Sequence, residues 1–257
     1  DEHPVVDLSL FRRRNFWSGA LATAVGYGVF FGNVVILPLW LQQFMGYTAT
    51  QAGMILAPVG LFAIVLSPLV GLTVNRVDPR IYASFAFMVF GVVLWMRSLF
   101  TIQTDFMTIM IPTLIQGVAM ACFFIPLVTI TLSGLPPQRI PAASGLSNFT
   151  RITAGAMGTS ISTTLWENRA TLHHAQLAES INLGNPVAVQ TINELQARGM
   201  SHEQALGVIN NLTTQQAFMI STQEIFYGSA VLFVALIGLV WFARRTHGGA
   251  GADAAAG

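Results

Sequence analysis

Residues 106–132 read FMTIMIPTLIQGVAMACFFIPLVTITL, a run without a single charged side chain. At about 1.5 Å per helical residue it covers about 40 Å, more than the roughly 30 Å hydrocarbon core of a bilayer. Working outward, similar runs stand at 16–44, 50–74, 81–99, 142–166 and 222–243, and their centres hold almost no charge. The expected fold is therefore an all-α membrane protein with six transmembrane helices, arranged as two three-helix repeats. The linkers carry turn chemistry, with Asp78-Pro79 in the second and Gly134-Leu135-Pro136-Pro137 in the fourth, and short linkers make successive helices antiparallel neighbours.

The whole composition agrees. Of 257 residues 53% are apolar and 9% charged, against roughly 25% charged in an ordinary soluble domain. The formal charge is +1 and all 12 cations are arginine, which leaves no broad basic surface for nucleic acid. The single cysteine, Cys122, excludes an intrachain disulfide and a Cys-rich metal site. The chain opens Asp1-Glu2-His3-Pro4, with acid where a signal peptide carries a basic head, and so reads as a piece of something longer.

Arginines set the expected orientation, because cytoplasmic loops are enriched in them. Arg12, Arg13, Arg14, Arg76, Arg80, Arg139, Arg244 and Arg245 fall on one side, while Arg97, Arg169 and Arg198 fall on the other. Both ends are thus expected in the cytoplasm. The division is a cytoplasmic or interfacial lead-in at 1–15, five transmembrane helices over 16–167, a helical periplasmic segment at 168–221, the sixth helix at 222–245 and a disordered cytoplasmic tail at 246–257. Within 168–221, Asn185-Pro186 predicts a helix start, Arg198-Gly199 its end, and Ser201-His202-Glu203-Gln204 a capping box. Leu172, Leu177, Val189, Ile192, Leu195, Leu206, Ile209 and Leu212 give this segment an apolar face, either for hairpins lying over the membrane mouth or for docking an accessory protein.

The fifth span is unlike the others. Ser144, Asn148, Arg151, Gly155, Gly158 and Ser162 recur at helical spacing and form one polar, close-packing face. Arg151 lies roughly 13 Å inside the span, where a guanidinium costs about 2.5–3.5 kcal/mol on the lenient insertion scale. It needs a polar cavity or a partner, or else hydroxyls and carbonyls that satisfy it in place. Glu167 and Glu224 stand too near helix ends to serve. In the first span Ala20, Ala24, Gly28 and Gly32 form a small-residue seam that lets another helix approach closely, and Gly28, Gly32, Gly155 and Gly158 are the candidate helix-packing residues. Further along, Asn33, Gln42 and Gln43 are candidates to line a cavity, and Pro38 to break the helix. Pro58, Pro68, Pro112 and Pro126 make similar kinks possible. Gln116, deep in the fourth span near Phe123 and Phe124, suits an amphipathic organic ligand or serves as helix glue. The candidate cavity set is Phe30, Asn33, Gln116, Phe124, Asn148 and Arg151.

Enzyme chemistry fares badly. All five histidines, His3, His173, His174, His202 and His247, lie outside the spans, so Ser144-Gly145 has no intramembrane base. No paired intramembrane carboxylates exist, His173-His174 is poorly spaced for a metal, and no phosphate-cradling glycine loop is present. No catalytic residue, metal or cofactor is expected.

Gly46-Tyr47-Thr48-Ala49-Thr50-Gln51-Ala52-Gly53, Ala57-Pro58-Val59-Gly60, Ser67-Pro68 and 75–80 resemble the second helix of the C-terminal half in fourteen-helix drug:proton antiporters of the major facilitator superfamily. The stretches 142–151 and 154–160 resemble that family's penultimate helix, and 130–137 with His173-His174-Ala175-Gln176-Leu177 narrow the resemblance to inner-membrane multidrug exporters. The resemblance covers nearly the whole chain. It implies the C-terminal six helices of a proton-coupled efflux transporter that exports amphipathic or hydrophobic compounds by alternating access, driven by the proton gradient. The implied partners are a missing N-terminal half, a periplasmic adaptor and an outer-membrane channel. It also implies a cytoplasmic gating loop at Arg76, Asp78 and Arg80, in which Asn75 replaces the usual aspartate and weakens the ionic latch. The family's proton-coupling residues lie mainly in the other half. A rival class is a six-helix non-transporting scaffold or assembly module, whose polar faces would be buried in its own core instead of converging on one open side.

Overall fold

The computed structural model describes residues 8–243 apart from 75 and 183. The expectations for Asn75, Arg244, Arg245, the first seven lead-in residues and the tail at 246–257 lie outside the described residues. A short 3-10 turn, Leu8–Arg12, leads into α1 (Arg14–Phe44), followed by α2 (Ala49–Thr73), α3 (Pro79–Arg97), α4 (Phe106–Ala121), α5 (Phe124–Leu132), α6 (Ile140–Glu179), α7 (Pro186–Ala197) and α8 (His202–Trp241). Five helical stretches among the described residues are long and apolar enough to cross a membrane: α1, α2, α3, α4 with α5, and α8. The hydroxyls, glycines and arginine of α6 lower its hydropathy, yet it packs inside the same bundle, against α1 and α8. The protein is a multi-pass membrane protein.

Helix ends follow local chemistry. Thr48 caps α2 in a reciprocal capping box with Gln51, Asp78 caps α3 with Pro79 in its first turn, and Ser201 caps α8 in a box with Gln204. Asn185 caps α7, which ends at Arg198. Pro38 lies inside an unbroken α1, so the expected break there is absent. The break occurs instead at Cys122 and Phe123, between α4 and α5. Pro126 explains it, because a proline ring collides with the carbonyl four residues earlier, here Cys122. The freed segment is anchored by Phe123, fully buried and edge-on to Phe87 and Phe90 at ring-centroid distances of 5.8 and 5.5 Å. Phe90 stacks on Phe233 at 4.9 Å, which ties α3 to α8 in the aromatic centre of the bundle.

α1 and α6 make the most extensive helix pair, and the seam residues are what let them approach. A Cβ on Gly28 would sit 3.0 Å from the Ala154 carbonyl oxygen. One on Gly158 would land on the Gly28 backbone, and one on Gly32 would land on the Ser162 side chain. Gly155 is buried opposite Phe31 and Tyr27.

α6 and α8 each run 40 residues, about 60 Å and twice the bilayer core. They pass the expected boundaries at 167/168 and 221/222 without a break, since no proline stands near either and the change from apolar to polar composition does not stop a helix. Their projecting ends stay together. Trp166 Nε1 donates to Thr222 Oγ1 at 2.8 Å and Ser221 Oγ to the Trp166 carbonyl at 2.6 Å. α7 packs against α8 to complete a helical cap.

Candidate functional site

The polar face expected on the fifth span is the face of α6 that carries Asn148 and Arg151. Arg151 Nη2 donates to Asn148 Oδ1 one helical turn away. The guanidinium carbon lies 4.9 Å from the ring centroid of Tyr27 on α1 and 5.9 Å from that of Phe124 on α5. Cation–π contacts of this kind contribute about 0.5–1 kcal/mol when exposed and about 2 when desolvated. Tyr27 is edge-on to Phe124 at 5.0 Å and stacked on Phe31 at 5.3 Å. Three helices thus supply an aromatic floor with a cation held over it, and Arg151 Nε has no hydrogen-bond partner. Arg151 is half-buried and Asn148 exposed, so the assembly is open on one side. It can receive a flat or amphipathic molecule, with aromatic rings below and a guanidinium as hydrogen-bond donor above.

Three of the expected cavity residues, Phe124, Asn148 and Arg151, are brought together here. The other three point into the bundle. Phe30 is 7% exposed and edge-on to Phe90 of α3 at 5.8 Å; Phe31, one position round the helix, takes the place expected for it. Asn33 is buried and donates to Ser229 Oγ of α8 at 2.9 Å and to the Val29 carbonyl at 2.7 Å, because six residues beyond Tyr27 a helix presents its opposite side. Gln116 is buried and accepts from Arg97 Nη2 at 2.6 Å. Gln42 and Gln43 are exposed at the end of α1, with Gln42 Nε2 returning to the Pro38 carbonyl at 3.1 Å.

Two groups were missed. Tyr27 is the only phenol in α1, one turn before Phe30 and Phe31, and that spacing was its signal. Arg97 stands at the end of α3, as expected, but its inward direction had not been read: it is 1% exposed and donates to Thr113 Oγ1 at 3.0 Å as well as to Gln116, with Nε unpartnered. The expected gating loop has a helix-capping geometry: Asp78 Oδ1 accepts from the Arg80 backbone at 3.0 Å and lies 3.7 Å from Arg80 Nε. Arg80 is buried and Arg76 exposed. Tyr82 Oη donates to Thr73 Oγ1 at 2.7 Å and pins α2 to α3 beside that loop. At the opposite end Arg169 holds Glu224 through two bonds of 2.7 and 2.8 Å, and His173 Nε2 lies 3.0 Å from the same carboxylate.

Comparison with known proteins assigns the family. The chain is 49% identical over 252 residues to the multidrug export protein EmrB of Escherichia coli (strain K12), covering 98% of this chain and 49% of that protein. It is 43% identical over 249 residues to the multidrug export protein EmrB of Haemophilus influenzae, covering 96% of this chain and 49% of that one. To the fatty acid resistance protein FarB of Neisseria gonorrhoeae it is 43% identical over 252 residues, covering 98% of this chain and 50% of that protein. The chain therefore spans about half the length of the curated relatives it matches. Residues 2–159 match the Major Facilitator Superfamily, and with the helical membrane bundle described above this chain belongs to that family.

Proposed function

We propose that the chain is the C-terminal six-helix half of a proton-coupled multidrug efflux transporter of the bacterial inner membrane, working by alternating access with an N-terminal half. The observation that carries the reading is the guanidinium of Arg151 held over Tyr27 and Phe124 on the open side of α1, α5 and α6. In a rocking-bundle transporter the substrate lies near the midplane between the two halves, and this is the polar and aromatic surface the present half offers to it. Amphipathic and hydrophobic compounds fit the floor. The relatives' names, multidrug export protein and fatty acid resistance protein, support that class, and a transporter role in place of an enzymatic one. The proton gradient is the energy source and no cofactor is required.

The arginine-rich end, with Arg12, Arg13, Arg14, Arg76, Arg80 and Arg139, faces the cytoplasm. The projecting ends of α6 and α8 with α7 then form a periplasmic cap, the docking surface for an adaptor that leads to an outer-membrane channel. Deleting the cap is expected to abolish co-purification of the adaptor.

The test of the site is drug efflux in cells that express this chain with a matching N-terminal half. Activity is expected only from the pair. Arg151→Ala is expected to cut export about tenfold, the loss of roughly 1.4 kcal/mol, at unchanged expression, and Arg151→Lys to restore part of it. Full export by Arg151→Ala would remove the residue from the site, and export by the chain alone would replace the half-transporter reading with a symmetric dimer.

A further inference from the structure

A second concavity lies away from the Arg151 face. It is a groove of about 810 Å³ between α6 and α8, floored by Gly28 and Val29 of α1. Its α6 wall runs from Ala154 to Arg169, roughly 22 Å at the helical rise, somewhat more than one leaflet of the hydrocarbon core. Met157, Ile161 and Leu165 on one wall and Leu232 on the other present apolar side chains that are 58%, 54%, 47% and 48% exposed. Apolar side chains so exposed fit acyl chains wherever no second half covers them.

The groove is not uniformly apolar. One end is closed by Arg169 and Glu224, which stand where both helices change from apolar to polar composition. Their bidentate pair, joined by His173, places a cation and an anion side by side at the polar boundary, with Arg169 46% and Glu224 34% exposed.

We propose that this groove is a binding site for a membrane phospholipid with a zwitterionic amine headgroup. One acyl chain lies along Ile161, Leu165 and Leu232, the phosphate meets the Arg169 guanidinium, and the ammonium meets the Glu224 carboxylate. The Nε and Nη2 edge of Arg169 holds Glu224, which leaves the Nη1 side of the guanidinium to donate to phosphate oxygens, and the adjacent carboxylate disfavours a headgroup carrying negative charge alone.

Two glycines on α8 provide the test. Gly228 lines the groove and a Cβ there meets nothing within 4 Å, so a larger side chain grows into the groove without touching the fold. Gly238 has equal room but lies outside the groove. The chain, alone and joined to a matching N-terminal half, is reconstituted in vesicles of equal phosphatidylethanolamine and phosphatidylglycerol carrying a trace of phosphatidylethanolamine with a photoreactive acyl chain. Crosslinked peptides are then mapped by mass spectrometry, with far-UV circular dichroism to confirm equal helix content. Label is expected to concentrate on 157–165 and 225–232 in both preparations. Gly228→Leu should lower it about tenfold, equivalent to roughly 1.4 kcal/mol, while Gly238→Leu leaves it unchanged. Glu224→Gln should abolish the preference over a phosphatidylglycerol probe with the same acyl chain. Label spread evenly over the lipid-facing helices, groove label indifferent to Gly228→Leu, or groove label lost when the N-terminal half is added would each overturn the proposal, the last by showing that protein covers the groove.

Discussion

Arg97 and Gln116 form a buried pair whose energetics can be separated by a mutant cycle. The guanidinium is 1% exposed and held only by Gln116 Oε1 at 2.6 Å and Thr113 Oγ1 at 3.0 Å, and no carboxylate pairs with it among the described residues. Gln116→Leu removes the shorter bond, a charge-assisted one that contributes about 1.5–3 kcal/mol, and leaves a buried cation on one hydroxyl, so the total cost approaches the 3–5 kcal/mol expected for a broken buried charge contact. Arg97→Met leaves the Gln116 oxygen unsatisfied at about 1–3 kcal/mol, but lifts the roughly 2.5–3.5 kcal/mol of holding a guanidinium in the bilayer. The two terms nearly cancel. In Arg97→Met/Gln116→Leu neither penalty remains, and the double variant should match the parent within about 1 kcal/mol, giving a coupling energy of about 3–5 kcal/mol in magnitude. Reversible unfolding by SDS in mixed micelles, followed by circular dichroism, measures all four corners. A Gln116→Leu variant within about 0.5 kcal/mol of the parent, or a double variant as unstable as Gln116→Leu, would show that the amide does not carry the charge and that the argument is wrong.

Gly158→Leu should cost about 2–3 kcal/mol in the same assay, because the new side chain meets the Gly28 backbone and α1 must move away; an unchanged midpoint would show that the seam is loose. Ser201→Ala removes the side-chain half of the α8 capping box and should cost about 1 kcal/mol, read as faster hydrogen exchange confined to the first turn of α8. At the start of α4 the Thr108 hydroxyl, then the backbone N–H groups of Thr108 and Met107, hold the Asp105 carboxyl below the usual carboxylate range. A depressed folded-state pKa means that the capping contribution is fully present above the unfolded value of about 3.9 and is lost as pH falls below it. Hydrogen exchange at the first turn of α4, corrected for intrinsic rates, should therefore be flat at higher pH and gain an additional opening term on acidification through that value. Asp105→Asn should show no such acid-dependent opening.

What the sequence made legible and what it hid divide along physical lines. The seam at Ala20, Ala24, Gly28 and Gly32 and the close-packing face with Gly155, Gly158 and Ser162 were each readable because small side chains at three- and four-residue spacing let helices approach; that the two pack on each other was not. The caps at Ser201 and Asn185 were readable because capping is local. Face assignment inside α1 was not. That helix is buried on most of its circumference, so apolarity cannot tell the side carrying Tyr27 and Phe31 from the side carrying Phe30 and Asn33. The helix-end position of Arg97 was legible but its direction was not used, although Ala83, Phe87, Phe90 and Leu94, stepping by four and three residues, lead straight to it along one buried stripe. The α4/α5 break depended on which of several prolines disrupts its helix. Pro38, Pro58, Pro68 and Pro112 all lie within continuous helices, while Pro126 sits just beyond a break, and that choice rests on tertiary packing about Phe123.

The same distribution bears on the choice between a transporter half and a self-contained scaffold. A scaffold would bury its costly polar groups and bond them internally, and the Arg97, Thr113 and Gln116 cluster is buried and bonded within the bundle, as are Asn33 and Ser229, although Arg97 Nε and Asn33 Oδ1 lack partners. Arg151 differs in exposure and not in its unpartnered Nε. It stands half-buried over rings from two other helices, with one neighbouring exposed amide as its hydrogen-bond acceptor. Neutralising it by a packed apolar residue would cost the isolated bundle little, because the rings of Tyr27 and Phe124 already pack on each other. A guanidinium that does not maintain its own fold, on the most polar helix of the bundle and open to one side, is accounted for by something that arrives there. Arg151→Met is accordingly expected to leave the stability of the chain within about 1 kcal/mol of the parent while cutting export by the reconstituted pair about tenfold, the loss of roughly 1.4 kcal/mol, and a loss of stability matching the loss of export would favour the scaffold.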